Sequence, residues 1–141
     1  MKPNQGLTPE YFLKHVLQTK AKDVVALDIS KLTSFTDTFI IVSGSSTRQV
    51  KTIGERLQSN LRDEKVKPLS MEGLENGRWV LMDYGDTIIH IFYEPVRSEF
   101  NLEGLWADAK ELPLPEVTPP NDVKTLVRDN DDDLWGNEKA E

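Results

Sequence analysis

Few residues in this chain could do chemistry. There are two histidines, His15 and His90, and no cysteine, which excludes thiolate nucleophiles, disulfides and cysteine metal sites. His15 follows Lys14 on a predicted helix and is expected at the surface. His90 alternates with Ile88 and Phe92 and shares their face of a predicted strand, where a lone histidine is more often a hydrogen-bonded core residue than a base. Neither histidine sits in a Ser-His-Asp or zinc-ligand spacing. Asp83 and Asp86 bracket a Tyr84-Gly85 turn. They form a carboxylate pair in principle, but aspartates at turns also bond their own backbone.

Gly44-Ser45-Ser46 sits where a strand gives way to a helix and could hold a phosphate on helix N–H groups. It lacks both glycine-rich phosphate-loop patterns, and an ordinary serine helix cap after a Gly turn is the better account of it. A Gly-Ser after a strand also begins the signature of nucleotidyltransferases, which need two nearby carboxylates for magnesium. Only Glu55 and Asp63 follow within reach, both on the predicted helix, so metal-dependent nucleotidyl transfer is disfavoured. Trp79, Tyr84 and Tyr93 surround a predicted hairpin. Core packing accounts for them, but Trp and Tyr are also enriched at binding hot spots. Trp79 at a strand start and Tyr84 at a turn are expected to keep an exposed edge.

Elements that would position these residues follow from periodicity. Thr8-Pro9-Glu10 reads as a helix start, with Phe12, Leu13, Val16 and Leu17 on one face. Residues 24–29 and 36–43 read as strands, the second apolar on both faces. A second helix over 46–64 repeats Val50, Ile53, Leu57 and Leu61, with Arg48, Lys51, Arg56 and Arg62 elsewhere on it. A short strand is expected around Leu69 to Met71. The hairpin 79–83 and 87–93 follows, its turn relying on Gly85 for positive φ. Pro95 is expected to end the last strand, and Ser98 to cap a third helix with Leu102, Leu105, Trp106 and Ala109 on one face. The order α-β-β-α-(β)-β-β-α implies an α/β fold: a mixed sheet of four to five strands with helices packed on it.

Composition bounds the rest. With 141 residues, 38% hydrophobic and 29% charged, the chain suits one core and is too polar for a membrane protein. Of 24 acidic and 17 basic residues, 111–141 hold nine and three, leaving 1–110 near neutral. Residues 1–110 are therefore expected to form the domain, and 111–141, with four prolines and an acidic run, a disordered tail. No basic excess favours nucleic acid as the main partner; a basic protein fits the charge better. The N-terminus carries no signal-like apolar run, and a cytoplasmic location is expected.

Taken together, several segments match a known pattern in order and spacing. They are Ala26–Ser30, Thr36–Ser46 with Arg48-Gln49-Val50, Gly77–Asp86 running into Ile89–Phe92, and Arg97 with Leu102-Glu103-Gly104-Leu105-Trp106. The set, covering about residues 8–110, resembles the ribosomal silencing factor family, also called the Iojap family; the segment after Leu112 is left outside. The resemblance implies a sheet of nucleotidyltransferase-like topology without its catalytic carboxylates. It implies a factor that is not an enzyme and uses no cofactor or metal. Such a factor binds the large ribosomal subunit through its fourteenth protein, blocks joining of the small subunit when nutrients are short, and can be a homodimer when free. The candidate partner-binding residues are Trp79 and Tyr84 as anchors, with Asp83, Asp86, Thr36 and Asp37 beside them. A nucleotide-binding or nucleotidyltransferase-like enzyme is the first alternative, and a direct RNA-binding module using Arg48, Lys51, Arg56 and Arg62 the second.

Overall fold

A computed structural model describes residues 7–116. The expected disordered tail falls mostly outside the described residues. Helix α1 (Pro9–Leu17) starts at Thr8, whose side chain accepts from the Tyr11 N–H, and Pro9 occupies its first turn. Strands β1 (Lys22–Asp28) and β2 (Thr38–Gly44) pair antiparallel. Helix α2 (Thr47–Asp63) begins at Ser46, which accepts from the Gln49 N–H. Its residues Val50, Ile53, Leu57 and Leu61 are fully buried. Burying each such side chain contributes about 1.5–3 kcal/mol against about 1 kcal/mol for the cap, so packing rather than capping holds α2.

Strands β3 (Ser70–Glu72), β4 (Trp79–Asp83) and β5 (Thr87–Tyr93) complete most of the sheet. The last two form the expected hairpin, with Gly85 at φ +96° in its turn. A two-residue strand, β6 (Lys110–Glu111), pairs with Asp28 and Leu27 on the far edge. The Leu112 N–H donates to the Ala26 carbonyl at 2.8 Å, so the sheet runs across the 110/111 boundary expected from composition. Six strands lie in the order β3-β4-β5-β2-β1-β6. The central pair β2/β5 is parallel and the other neighbours are antiparallel. That is a mixed α/β sheet, one or two strands wider than expected.

The third helix differs from expectation. Pro95 sits in the first turn of α3 (Glu94–Phe100), which starts directly after β5. Ser98 lies inside α3 and is not a cap. Asn101 takes a left-handed conformation (φ +48°) and separates α3 from a single turn, α4 (Leu102–Leu105). A proline at the start of a helix loses no hydrogen bond, so Pro95 begins the helix rather than merely ending the strand. Among the described residues no helix is long and apolar enough to cross a membrane.

Because side chains alternate along strands, the sheet has two apolar faces. Ile40, Val42, Val80, Met82, Ile89 and Ile91 pack under α1 and α2. Phe39, Ile41, Ile88 and Phe92 face the other way and meet Val96 of α3 and Leu102 of α4. The first cover is two helices of nine and 17 residues; the second is helices of seven and four.

Candidate partner-binding face

The second face is incompletely covered, and aromatic rings fill it. Phe35 contacts Phe39, and Phe39 contacts both His90 and Trp106 edge-on. His90 touches Trp79, which packs on Phe92 and Phe100. The two ends of this chain reach solvent, Phe35 61% exposed and Phe100 51%, and Leu105 of α4, the helix that caps this face through Leu102, is 77% exposed. Trp79, Leu81 and Trp106 lie half-buried between them. Exposed apolar residues grouped in this way, unlike scattered ones, mark interaction sites.

Trp79 is held from below. Its indole N–H donates to His90 Nδ1 at 3.1 Å, which places the proton of the neutral imidazole on Nε2. That Nε2 is buried and has no hydrogen-bond partner among the described residues. Burial pushes the His90 pKa down to about 4, so the ring is neutral near pH 7. With its only donor committed inward, Trp79 offers an outside partner its ring alone. The backbone behind it is equally fixed. A side chain at Gly73 (φ +88°) would place its Cβ 1.9 Å from the Trp79 carbonyl oxygen, so the chain can approach there only as glycine.

The expectation of an exposed Tyr84 is corrected: it is 1% exposed and packs against Phe12 of α1 on the first face. Trp79 and Tyr84 stand five residues apart along one extended segment, an odd separation, so they point to opposite faces. They cannot anchor one flat interface together. Burial also raises the Tyr84 phenol above its ordinary pKa. Thr36 is likewise buried, its hydroxyl donating to the Gly85 carbonyl at 2.9 Å. The Asp86 carbonyl accepts from the Asp37 and Thr38 N–H groups at 3.0 Å each. The fold therefore brings Thr36, Asp37, Asp83, Tyr84 and Asp86 together at one end of the sheet. Trp79 lies at the other end of β4. Of that end group Asp37 is exposed, and Asp83 and Asp86 are half-buried.

The chemical alternatives find their groups otherwise engaged. Asp83 Oδ1 accepts from the Gly85 N–H at 2.8 Å, a turn-forming bond. Ser45 gives both its N–H and its hydroxyl to Gln49 Oε1. No three His, Cys, Asp or Glu side chains gather to hold a metal ion among the described residues. Arg48, Arg56 and Arg62 are exposed on α2, interleaved with exposed Glu55 and Asp63. His15, expected at the surface, is half-buried and lies 3.3 Å from Glu64. Glu64 also accepts from the Tyr11 hydroxyl. Burial and this bond push Tyr11 up to about 12.

Phe35, Phe100 and the exposure of Leu105 carried no signal of periodicity. Phe35 stands alone in a Ser- and Thr-rich loop, where an unexplained aromatic was the one available hint. Residues 94–109, which build the outer layer of this face, carry Glu94, Glu99, Glu103 and Asp108 against Arg97. An aromatic surface framed by acidic elements suits a basic protein partner.

A family model described as ribosomal silencing factor during starvation matches residues 5–136. The match reaches well past Leu112, into the segment that the sequence resemblance left out. Over 91 residues the chain is 41% identical to a ribosomal silencing factor of Chromobacterium violaceum, covering 64% of this chain and 75% of that protein. Over 92 residues it is 28% identical to the Mus musculus protein named mitochondrial assembly of ribosomal large subunit protein 1, covering 63% of this chain and 40% of that protein. A crystal structure of a Chromobacterium violaceum protein superposes with a TM-score of 0.65 at 33% identity, covering 78% of this chain and 87% of that one.

Proposed function

The chain belongs to the family of ribosomal silencing factors, and we propose that it represses translation by occupying the large ribosomal subunit. In this reading it binds through that subunit's fourteenth protein and sterically blocks joining of the small subunit, chiefly under nutrient limitation. It acts in the cytoplasm as a bound obstacle and not as an enzyme. When free, it pairs with a second copy, which sedimentation equilibrium checks.

The observation that carries this reading is the half-covered second face. A steric blocker needs a firm, well-shaped surface of roughly 800 Å² and no moving chemistry. Phe35, Trp79, Phe100, Leu105 and Trp106 supply rigid apolar contacts there. The acidic elements around them steer a basic ribosomal protein. Asp37, Asp83 and Asp86 extend the rim at one end. Thr36 and Tyr84 act from beneath by fixing the turn that carries those aspartates. A relative named for assembly of the large ribosomal subunit supports the choice of subunit.

The test is to incubate the purified protein with separated large and small subunits and sediment the mixtures. Co-sedimentation with the large subunit, and fewer joined ribosomes in its presence, is the expected result. Association with neither subunit, or with the small subunit only, would overturn the reading.

A further inference from the structure

We propose that Arg97 is a positioning residue for partner binding: by clamping Glu103 it fixes the single helical turn that presents Leu105. The inference rests on the functional reading above and adds to it the device that shapes the docking surface. An isolated turn of four residues has no stability of its own, because nucleating a helix costs more than one turn returns. α4 nevertheless holds Leu105 in solvent, where the fold gains nothing from it.

Leu102 is buried under α4 and the Asn101 side chain accepts from the Gly104 N–H at 3.3 Å, but one guanidinium ties the turn to the sheet. Arg97 Nε and Nη2 donate to Glu103 Oε2 at 3.2 and 2.7 Å. Arg97 Nη1 donates to Ser43 Oγ at 2.7 Å and to the Asp23 carbonyl oxygen at 2.8 Å. The planar fork thus ties α4 to the end of β2 and to the start of β1, where the register with β2 shifts between Lys22 and Val25, a reach and geometry that lysine does not reproduce. Arg97 is 12% exposed and Glu103 35%, so the guanidinium is shielded while the carboxylate still meets water on one side. Bonding to Arg97 holds the Glu103 carboxyl below its ordinary range. Two non-glycine residues with positive φ, Asp23 (+53°) and Asn101 (+48°), flank the clamp. Asp and Asn adopt that conformation at single positions more readily than other L-residues, and both sit where the chain turns beside the clamp. The sequence motif of Arg97 followed by Leu102-Glu103-Gly104-Leu105-Trp106 is thereby one unit: a clamp, a buried foot at Leu102 and an exposed contact at Leu105.

The experiment is a double-mutant cycle read as affinity for purified large subunits, with melting temperature as a folding control. Leu105→Ala and Arg97→Ala are each expected to weaken binding about tenfold, and the double variant scarcely further, because Leu105 is already misplaced without Arg97. Glu103→Ala should reproduce Arg97→Ala, whereas Glu103→Gln, which keeps an acceptor for the fork, should recover most of the affinity. A purely structural Arg97 would lower the melting temperature and leave the affinity of Arg97→Ala at the wild-type value, the double variant then losing only the roughly tenfold of Leu105→Ala; single losses that instead multiply to about a hundredfold would mean that the two residues act independently, and either outcome overturns the proposal. If Arg97→Ala does not fold, the same cycle with Glu103→Ala decides. Absence of wild-type binding would bring down the functional reading and this inference with it. Wild-type binding with additive losses would bring down the inference alone.

Discussion

The two faces of the sheet are made from the same strands and the same alternation, yet they are finished differently. Under α1 and α2 the strand side chains Ile40, Val42, Val80, Met82, Ile89 and Ile91 are all fully buried. Under α3 and α4 the cover is short and broken at Asn101, and Phe35, Phe100 and Leu105 remain in water. The sealed face stabilises the domain, whereas in the proposed function the open face uses part of its apolar surface for recognition. Mutations on the two faces should therefore separate stability from binding.

The largest separation is expected at Tyr84. Replacing this buried ring with alanine should cost about 3–5 kcal/mol in denaturant unfolding, as for other large-to-small core changes. The folded fraction should bind ribosomal subunits with only a small loss, the share of the aspartate rim that Tyr84 supports. A selective loss of binding in a fully stable Tyr84→Ala protein would return Tyr84 to the interface and erase the contrast between faces.

The next effect concerns pH, and it belongs to the open face. His90 titrates at about 4 in the folded chain and near 6.5 when unfolded. Between those values the unfolded chain binds the proton first, so stability is full above about pH 6.5 and falls as pH drops toward 4, by about 3 kcal/mol. Below that window the carboxyls of Asp28, Glu64 and Glu103 add further losses. Hydrogen bonds from Ser30, Tyr11 and Arg97 respectively hold all three below their ordinary pKa. Unfolding midpoints measured from pH 7 to 5 should show the first slope, and a His90→Leu variant should flatten it. An unchanged slope in that variant would assign the loss to another group.

Phe35→Ala and Phe100→Ala sharpen the contrast from the other side. Both rings are more than half exposed, so unfolding should shift by less than about 0.5–1 kcal/mol, while large-subunit affinity falls by about 1–2 kcal/mol each. Equal losses in stability and binding would mean that the face is only imperfectly packed core. The smallest expected effect is at Ser46→Ala, which removes the α2 cap on the sealed side. It should cost about 1 kcal/mol of stability and leave affinity unchanged, as titration calorimetry with subunits can check.

Much of this fold was legible in local patterns. The continuous apolar runs of β2 and β5, the four-point stripe of α2, the Ser46 cap and the Gly85 turn each follow from rules that act within a few residues. The opposite orientation of Trp79 and Tyr84 was legible too, since an odd separation along extended chain settles it, but their shared aromatic character suggested a common role instead. Other features were not legible. β6 is two exposed residues that become a strand only because β1 offers them an edge. The anchoring of Arg97 was not legible either, since its side chain bonds residues 54 and 74 positions earlier in the chain.

The sequence by itself determined the elements, their two apolar faces and the family pattern, because backbone propensity and alternation are properties of neighbouring residues. Only the tertiary structure decided which face would be closed. Coverage depends on how long the packed helices are and where they cross the sheet, and those are relations between residues far apart in the chain. The same relations placed Tyr84 beneath α1, left Phe35 and Phe100 outside, and joined Arg97 to Ser43 and to the Asp23 carbonyl.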